Sequence, residues 1–298
     1  MFKHIAVFLF CSLFTMSFSH AKVIHNERSL YRNILVEDSG DLRCLKFNVK
    51  STKTQQSCYL KSKPQQLVFN YTKLLMASLL LNPEPKRILI IGLGGGTMSN
   101  TLAQLYPQSK IDNVEIDPAV IKVARDYFGF LENDNVKTYT QDGRIFIKRA
   151  LLKKQSYDWI ILDAFNGDYI PEHLLTKEFL QETKTLLSAD GILSSNTFSL
   201  SKLYAHESAT YKAVFGNFYQ VNNQINSNRI IVVSKNGFTG DRIELKNIKK
   251  LNDKLSFYGV DMSLLYRSIV STKNKQNWPN DTRILTDQFS PANLLNIE

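Results

Sequence analysis

Four apolar residues running into a glycine loop, Ile88-Leu89-Ile90-Ile91-Gly92-Leu93-Gly94-Gly95-Gly96, constrain this chain more than any other stretch. A short apolar run of this kind reads as a strand buried on both faces. The glycines after it let the backbone turn sharply into a helix N-terminus and let a ligand approach the main chain. From Arg87 onward strand and helix patterns alternate. Strands are predicted at 110–116, 136–140, 157–162 and 191–196. Helices reach about Tyr106, open at Pro118 and start behind Asp142. That alternation specifies a parallel sheet with right-handed crossovers. Residues 218–223 and 229–234, around Asn226-Ser227-Asn228, predict a closing antiparallel pair.

The segment ahead of this unit has a different period. Residues 29–60 alternate apolar and polar around the turn Asp38-Ser39-Gly40-Asp41, with strands at 30–36, 42–49 and 56–60, which predicts a small antiparallel sheet. A helix is expected over 66–81, with Leu67, Leu74, Leu75 and Leu79 at helical spacing and Pro83 and Pro85 ending it. The last sixty or so residues predict one or two helices and an irregular tail. The expected organisation is therefore a leader at 1–21, a small β-sheet domain at 22–65, a doubly wound α/β domain at 66–240 and a helical extension at 241–298.

The leader follows from three features. Lys3 and His4 precede an apolar run from Ile5 to Phe18, and Ser19-His20-Ala21 places small residues where a signal peptidase needs them. The run is short for a membrane span, so no stable span is expected after cleavage and the mature chain should be exported, to a periplasm or beyond. Only Cys44 and Cys58 remain in it. They could form a disulfide in an oxidising compartment, stabilising by roughly 3 kcal/mol, or stand as two buried thiols. The net charge is +10, but the cations are scattered and no nucleic-acid motif accompanies them, so no nucleic-acid partner is expected.

In doubly wound sheets ligands sit beyond the carboxyl ends of the strands. The glycine loop with Gly92, Gly94 and Gly96 follows the first strand, Glu115-Ile116-Asp117 the second, Gln141-Asp142-Gly143 the third, and Asp163, with Asp168 nearby, the fourth. An acid after the second strand can accept hydrogen bonds from both ribose hydroxyls, and Asp142-Gly143 suits an adenine amino group. Thr97 stands where a dinucleotide fingerprint needs its last glycine, which turns the loop away from NAD. Asp117 before Pro118 and Asp142 before a helix also qualify as helix caps, a role compatible with ligand contact. His173 falls near the site and His25 and His206 are isolated, so no metal site is expected. Ser194-Ser195 lack a nucleophile-elbow sequence.

The segments ILIIGLGGGT (88–97), VEIDPAV (114–120), QDGRIFIK (141–148) and YDWIILDAF (157–165), with Tyr31 and Tyr71 ahead of them, resemble the spermidine synthase family of polyamine aminopropyltransferases. DAFNGDYIPEHLLTKEFL (163–180) and ILTDQFSP (284–291) look like its bacterial spermidine-synthase-like branch. The resemblance implies an S-adenosylmethionine-dependent methyltransferase-like (Rossmann-like) fold. It further implies decarboxylated S-adenosylmethionine, or S-adenosylmethionine, as donor, a diamine acceptor, no metal, and a homodimer as an open option. Glu115 would then hold the ribose, Asp142-Gly143 the adenine, Tyr71 and Asp168 the acceptor, and Asp163 would be the catalytic carboxylate. Four positions depart from the family pattern: Gly95 replaces an aspartate that holds the donor's amino group, Arg32 a glutamine, Thr72 a histidine and Asn166 a second acid. A methyltransferase and an exported non-catalytic binder of a nucleoside or polyamine stay open beside aminopropyl transfer.

Overall fold

The structure is a computed structural model and describes residues 21–47, 55–165, 170–222, 228–238, 243 and 245–291. The leader thus lies outside the described residues, apart from its last residue, Ala21, as do Asp168 and Asn166.

The chain first forms a four-stranded antiparallel meander, β1 (Lys22–Arg28), β2 (Asn33–Ser39), β3 (Leu42–Phe47) and β4 (Gln55–Leu60). Strand alternation sends Ile34, Val36, Leu45 and Phe47 to one buried face. Two expectations shift here. β1 was not legible from its mixed sequence. Residues 30–32, assigned to a strand from their alternation, instead form the β1–β2 turn: the Ser29 hydroxyl accepts the amides of Tyr31 and Arg32 at 3.0 Å each, and Leu30 is fully exposed. Cys44 and Cys58 face each other across β3 and β4, with Cα atoms 4.1 Å apart and their sulfurs bonded.

The helix expected over 66–81 starts later, as α1 (Asn70–Leu75), and tightens into a 3-10 turn over Met76–Leu80. Residues 66–69 stay outside it: Phe69 is extended (φ −77°, ψ 138°), and the Leu67 amide donates to the distant Tyr258 carbonyl at 3.0 Å.

The larger sheet contains β5 (Arg87–Ile91), β6 (Lys110–Glu115), β7 (Val136–Thr140), β8 (Tyr157–Leu162), β9 (Leu187–Phe198), β10 (Tyr219–Asn222), β11 (Asn228–Ser234) and β12 (Ile269–Ser271), in the order β12-β10-β11-β9-β8-β5-β6-β7. β5 to β9 are parallel, and β11, β10 and β12 continue the sheet antiparallel. β9 begins four residues before the predicted strand, because Ser188 and Asp190 on either side of Ala189 break the apolar run at its start. Three-residue β12 gave no sequence signal.

The helices cover both faces: α2 (Thr97–Leu105), α3 (Pro118–Phe128), α4 (Gly143–Leu152), α5 (Lys177–Leu186), α6 (Tyr204–Phe215), α7 (Leu245–Leu255) and α8 (Met262–Arg267). Ile88 and Ile90 of β5 point into one core with Leu102, Ile111 and Trp159, while Leu89 and Ile91 point into the other with Phe146, Ile160 and Phe179. α3 serves two layers. Ile121 and Ala124 pack on the large sheet's side, and Val120, Val123 and Phe128 pack on the meander. Each buried residue of this size contributes roughly 1.5–3 kcal/mol, so α3 fixes the meander over the carboxyl ends of the parallel strands. Among the described residues no helix is long and apolar enough to cross a membrane.

The cross-strand pairing of Cys44 and Cys58 gives a stability prediction. Non-reducing intact-mass analysis should find them oxidised, and replacing both by serine should lower the unfolding free energy by roughly 3 kcal/mol in denaturant titration. An unchanged free energy would remove the bond from the account of stability.

Candidate active site

β5 is flanked by β6 and β8, so the order of the parallel strands reverses around it and a crevice opens beyond their carboxyl ends. The meander roofs this crevice into a cavity of about 610 Å³. Gly92, Gly94, Glu115, Asp142, Gly143, Tyr71 and Asp163 all line it.

Gly92 holds the centre together. Its amide donates to the Val114 carbonyl at 2.8 Å, the Asp163 amide donates to the Ile91 carbonyl at 2.8 Å, and a Cβ on Gly92 would lie 2.2 Å from the Asp163 carbonyl oxygen. Only glycine permits that approach, and it comes with a positive φ of 97°. Glu115 is buried and works with both oxygens. One accepts the Leu93 amide at 3.0 Å and the other the Asp117 amide at 3.1 Å. Burial raises its pKa, and those two amides oppose the rise.

Asp142 caps α4 through the Ile145 amide at 3.0 Å, and its second oxygen meets Nε2 of His173 at 2.8 Å. The His173 contact lowers the carboxyl pKa, with burial opposing and the Ile145 amide assisting. Asp142 is therefore an acceptor on the cavity wall. Gln141 beside it presents a buried amide nitrogen without a partner, a donor next to that acceptor.

Asp163 stands at the end of β8, part-open to the cavity but enclosed by protein on its other sides. The amide nitrogen of Asn196 donates to its Oδ1 at 2.9 Å, and the Tyr71 hydroxyl donates to the same carboxyl group. Burial pushes the carboxyl from its usual 3.8 to about 7, against the pull of Asn196 and Tyr71. Burial, then the charge of Asp163, raises the Tyr71 phenol well above its usual range, so Tyr71 stays a donor. A carboxyl group balanced near neutrality beside fixed donors is suited to receive a proton.

Two sequence-predicted ligands fall off the cavity. Asp117 is fully buried as the cap of α3, accepting the Ala119 amide at 3.0 Å and the Ser29 hydroxyl at 2.5 Å, with the Arg32 Nε 3.8 Å away. Its cap role takes the side chain away from a ligand. Gly96 starts α2 and packs against the Phe130 ring instead of lining the cavity. Arg32 does lie in the cavity wall, but its guanidinium donates to the Phe165 carbonyl at 2.9 Å and covers the Phe47 ring at 4.4 Å, turned toward Asp117. Sequence reasoning missed Asn196, Asn228 and Ser57. The first ends a predicted strand and could have been found by the carboxyl-end rule; Ser57 reaches the site only through the folding of the meander.

A model of the spermine/spermidine synthase domain matches residues 68–239. A polyamine aminopropyltransferase from Vibrio vulnificus is 46% identical over 290 residues, covering 96% of each chain. The chain belongs to the spermine/spermidine synthase family. In fold, this member resembles a probable spermidine synthase from Corynebacterium glutamicum (TM-score 0.66, 21% identity, 88% of this chain and 96% of that one) and the spermidine synthase of Thermotoga maritima (TM-score 0.64, 21% identity, 83% and 84%). Both likenesses bear out the Rossmann-like fold with its leading antiparallel sheet.

The elevated pKa of Asp163 has a stability consequence. A group raised in the folded state contributes stability that is complete below its unfolded pKa of 3.8 and lost as pH rises through about 7. Relative to wild type, Asp163→Asn should therefore gain stability between about pH 4 and pH 8, by on the order of 4 kcal/mol across that window. Denaturant titrations at several pH values read this gap, and a gap that stays flat would refute the buried, elevated carboxyl.

Proposed function

We propose that this protein transfers an aminopropyl group from decarboxylated S-adenosylmethionine to an amine acceptor, a diamine or polyamine. The observation that supports it most is Asp163, held by Tyr71 and Asn196, balanced near pH 7 and lining the same cavity as Glu115 and Asp142. An amine attacks only when a lone pair is free. Asp163 takes the proton, the amine nitrogen bonds to the aminopropyl carbon, and that carbon's bond to sulfur breaks, its electron pair returning to sulfur. The leaving methylthioadenosine is neutral, so no general acid is required. Glu115 holds the ribose hydroxyls with the lone pairs its two amide contacts leave free, and Asp142 accepts from the adenine amino group. Tyr71 and Asn196 direct the Asp163 carboxylate.

The name of the Vibrio vulnificus relative supports the same reaction. The acceptor end includes Asp168 in this proposal, with Arg32 neutralised toward Asp117. We also propose that the mature chain begins near Lys22 and works outside the cytoplasm, on the strength of the leader sequence and the paired cysteines, and that it assembles as a homodimer.

Purified mature protein, given decarboxylated S-adenosylmethionine with putrescine, cadaverine or spermidine, should release methylthioadenosine and an aminopropylated product detectable by mass spectrometry. Asp163→Asn should lower kcat/KM by about 10²–10⁴ while methylthioadenosine affinity stays within about threefold. Wild-type protein that binds the nucleoside yet transfers to no amine would overturn the catalytic assignment.

A further inference from the structure

The cavity wall that carries Asp142 is made of two pieces of chain. Asp142 heads α4, and His173, whose Nε2 meets its second oxygen at 2.8 Å, sits on a 3-10 turn over Glu172–Leu174 that precedes α5. Gly143, His173 and Leu174 line the cavity with Asp142. A helix end and a 3-10 turn are not held together by a sheet ladder, so their relative position depends on side chains and on what packs behind them.

A later segment of chain, residues 285–290, stands behind both. Leu285 is fully buried; its carbonyl accepts the Lys177 amide at 2.9 Å, and its amide donates to the Thr210 hydroxyl at 2.9 Å. Thr286 and Phe289 then exchange backbone hydrogen bonds at 2.8 and 2.9 Å, a tight turn with Asp287 and Gln288 at its tip. Arg144, in the first turn of α4, donates to both oxygens of Asp287, at 2.7 and 2.8 Å. The Thr176 hydroxyl, which caps α5 by accepting the Phe179 amide, donates to Asp287 at 2.7 Å. The Ser290 hydroxyl donates to the carbonyl of Glu172, next to His173, at 3.1 Å. One strap therefore fastens the head of α4, the head of α5 and the turn that carries His173.

The Arg144 side chain is 12% exposed, and its contact holds the Asp287 carboxyl below its usual range, so the pair is ionised at neutral pH. A bidentate, charge-assisted pair of this kind fixes direction as well as distance. Glu182 also holds Arg144, through Nε and one terminal nitrogen at 3.0 Å each. Removing Asp287 thus leaves the guanidinium paired, and the loss falls on the placement of α4 and the turn rather than on a stranded charge.

We infer that Asp287 is a positioning residue for the adenine of the donor, acting through Arg144, Thr176 and the 172–174 turn to fix the wall formed by Asp142 and His173. The inference rests on the reading of Asp142 as the acceptor for the adenine amino group. It makes recognition of the base depend on the strap. The transfer step does not, because Asp163 is held by Tyr71 and Asn196 instead.

Calorimetry on the full mature chain tests this with methylthioadenosine and its desamino analogue, which lacks only the amino group of the base. Wild type should bind methylthioadenosine about tenfold more tightly, the effect of a hydrogen bond to a charged group. Asp287→Ala should weaken methylthioadenosine by about tenfold and leave the analogue within about twofold, so that the preference collapses. In transfer assays the donor KM should rise by a similar factor while kcat stays within about twofold. A merely structural loss does the reverse, lowering apparent kcat through the folded fraction at unchanged KM. Asp287→Asn keeps the shape and an acceptor for Thr176, so its preference should fall between those of wild type and Asp287→Ala. Thermal melts establish which variants are folded, and Asp287→Asn carries the comparison if the alanine variant does not fold. An unchanged preference for the amino group in a folded variant overturns the inference, whether or not overall affinity falls. If wild type does not bind methylthioadenosine, or binds the analogue equally well, the reading of Asp142 fails and the role of the strap with it.

Discussion

The site is organised around one buried carboxylate. Glu115 ends β6 and gives one oxygen to the amide of Leu93 in the glycine loop and the other to the amide of Asp117 at the head of α3. Both contacts are made at 8% exposure, where an unpaired charge would be strongly penalised. The loop conformation and the start of α3 therefore depend on the same side chain. A carboxylate oxygen has more lone pairs than one amide can use, so this scaffold role leaves room for a ligand's hydroxyl groups.

Asp117 transmits that arrangement to the small sheet. Its carboxylate caps α3, receives the Ser29 hydroxyl from the β1–β2 turn and lies 3.8 Å from the Arg32 guanidinium. Arg32 in turn holds the Phe165 carbonyl, two residues beyond Asp163. A cation in the wall of a cavity for amines looks unfavourable when read from sequence. In the fold its charge faces Asp117 and the ring of Phe47, and the guanidinium becomes a strut between the meander and the segment after β8. Hydrophobic contact between α3 and the meander supplies the driving force for this docking, and the Ser29, Arg32 and Asp117 contacts fix its orientation.

Most of the α/β core was legible because its signals are local. Ile88 to Ile91 with the following glycines, Pro118 at a helix start and Asp142 as a cap each specify their own few residues. Asp163 and Glu115 were legible because strand ends in this topology converge on one crevice. What failed depended on distant partners. The chain stays extended through Phe69 before α1, with the Leu67 amide bound to Tyr258, a partner no pattern near Leu67 records. Asp117 satisfied both a cap signature and a ligand signature, and only the position of Ser29, 88 residues earlier, decides for the cap. Leu30 to Arg32 alternated like a strand, but Ser29 gathers two of their amides into a turn. Ser57 is an ordinary polar residue in sequence; its proximity to the cavity is a product of the two-layer docking.

The surroundings of Asp163 show how orientation can be fixed without charge. The Asn228 side-chain nitrogen donates to the Asn196 Oδ1 at 3.0 Å across the β9–β11 pair, and the Asn196 nitrogen donates to Asp163 at 2.9 Å. Because Asn196 already accepts from Asn228 through its oxygen, its nitrogen is the end presented to Asp163. Tyr71, kept protonated by burial, is a second donor to the same group. Asp163 is thus surrounded by donors that favour its ionised form, while its enclosure in protein favours the neutral one. Burial is the larger of the two influences, so the net shift is upward. Their opposition holds its pKa at about 7.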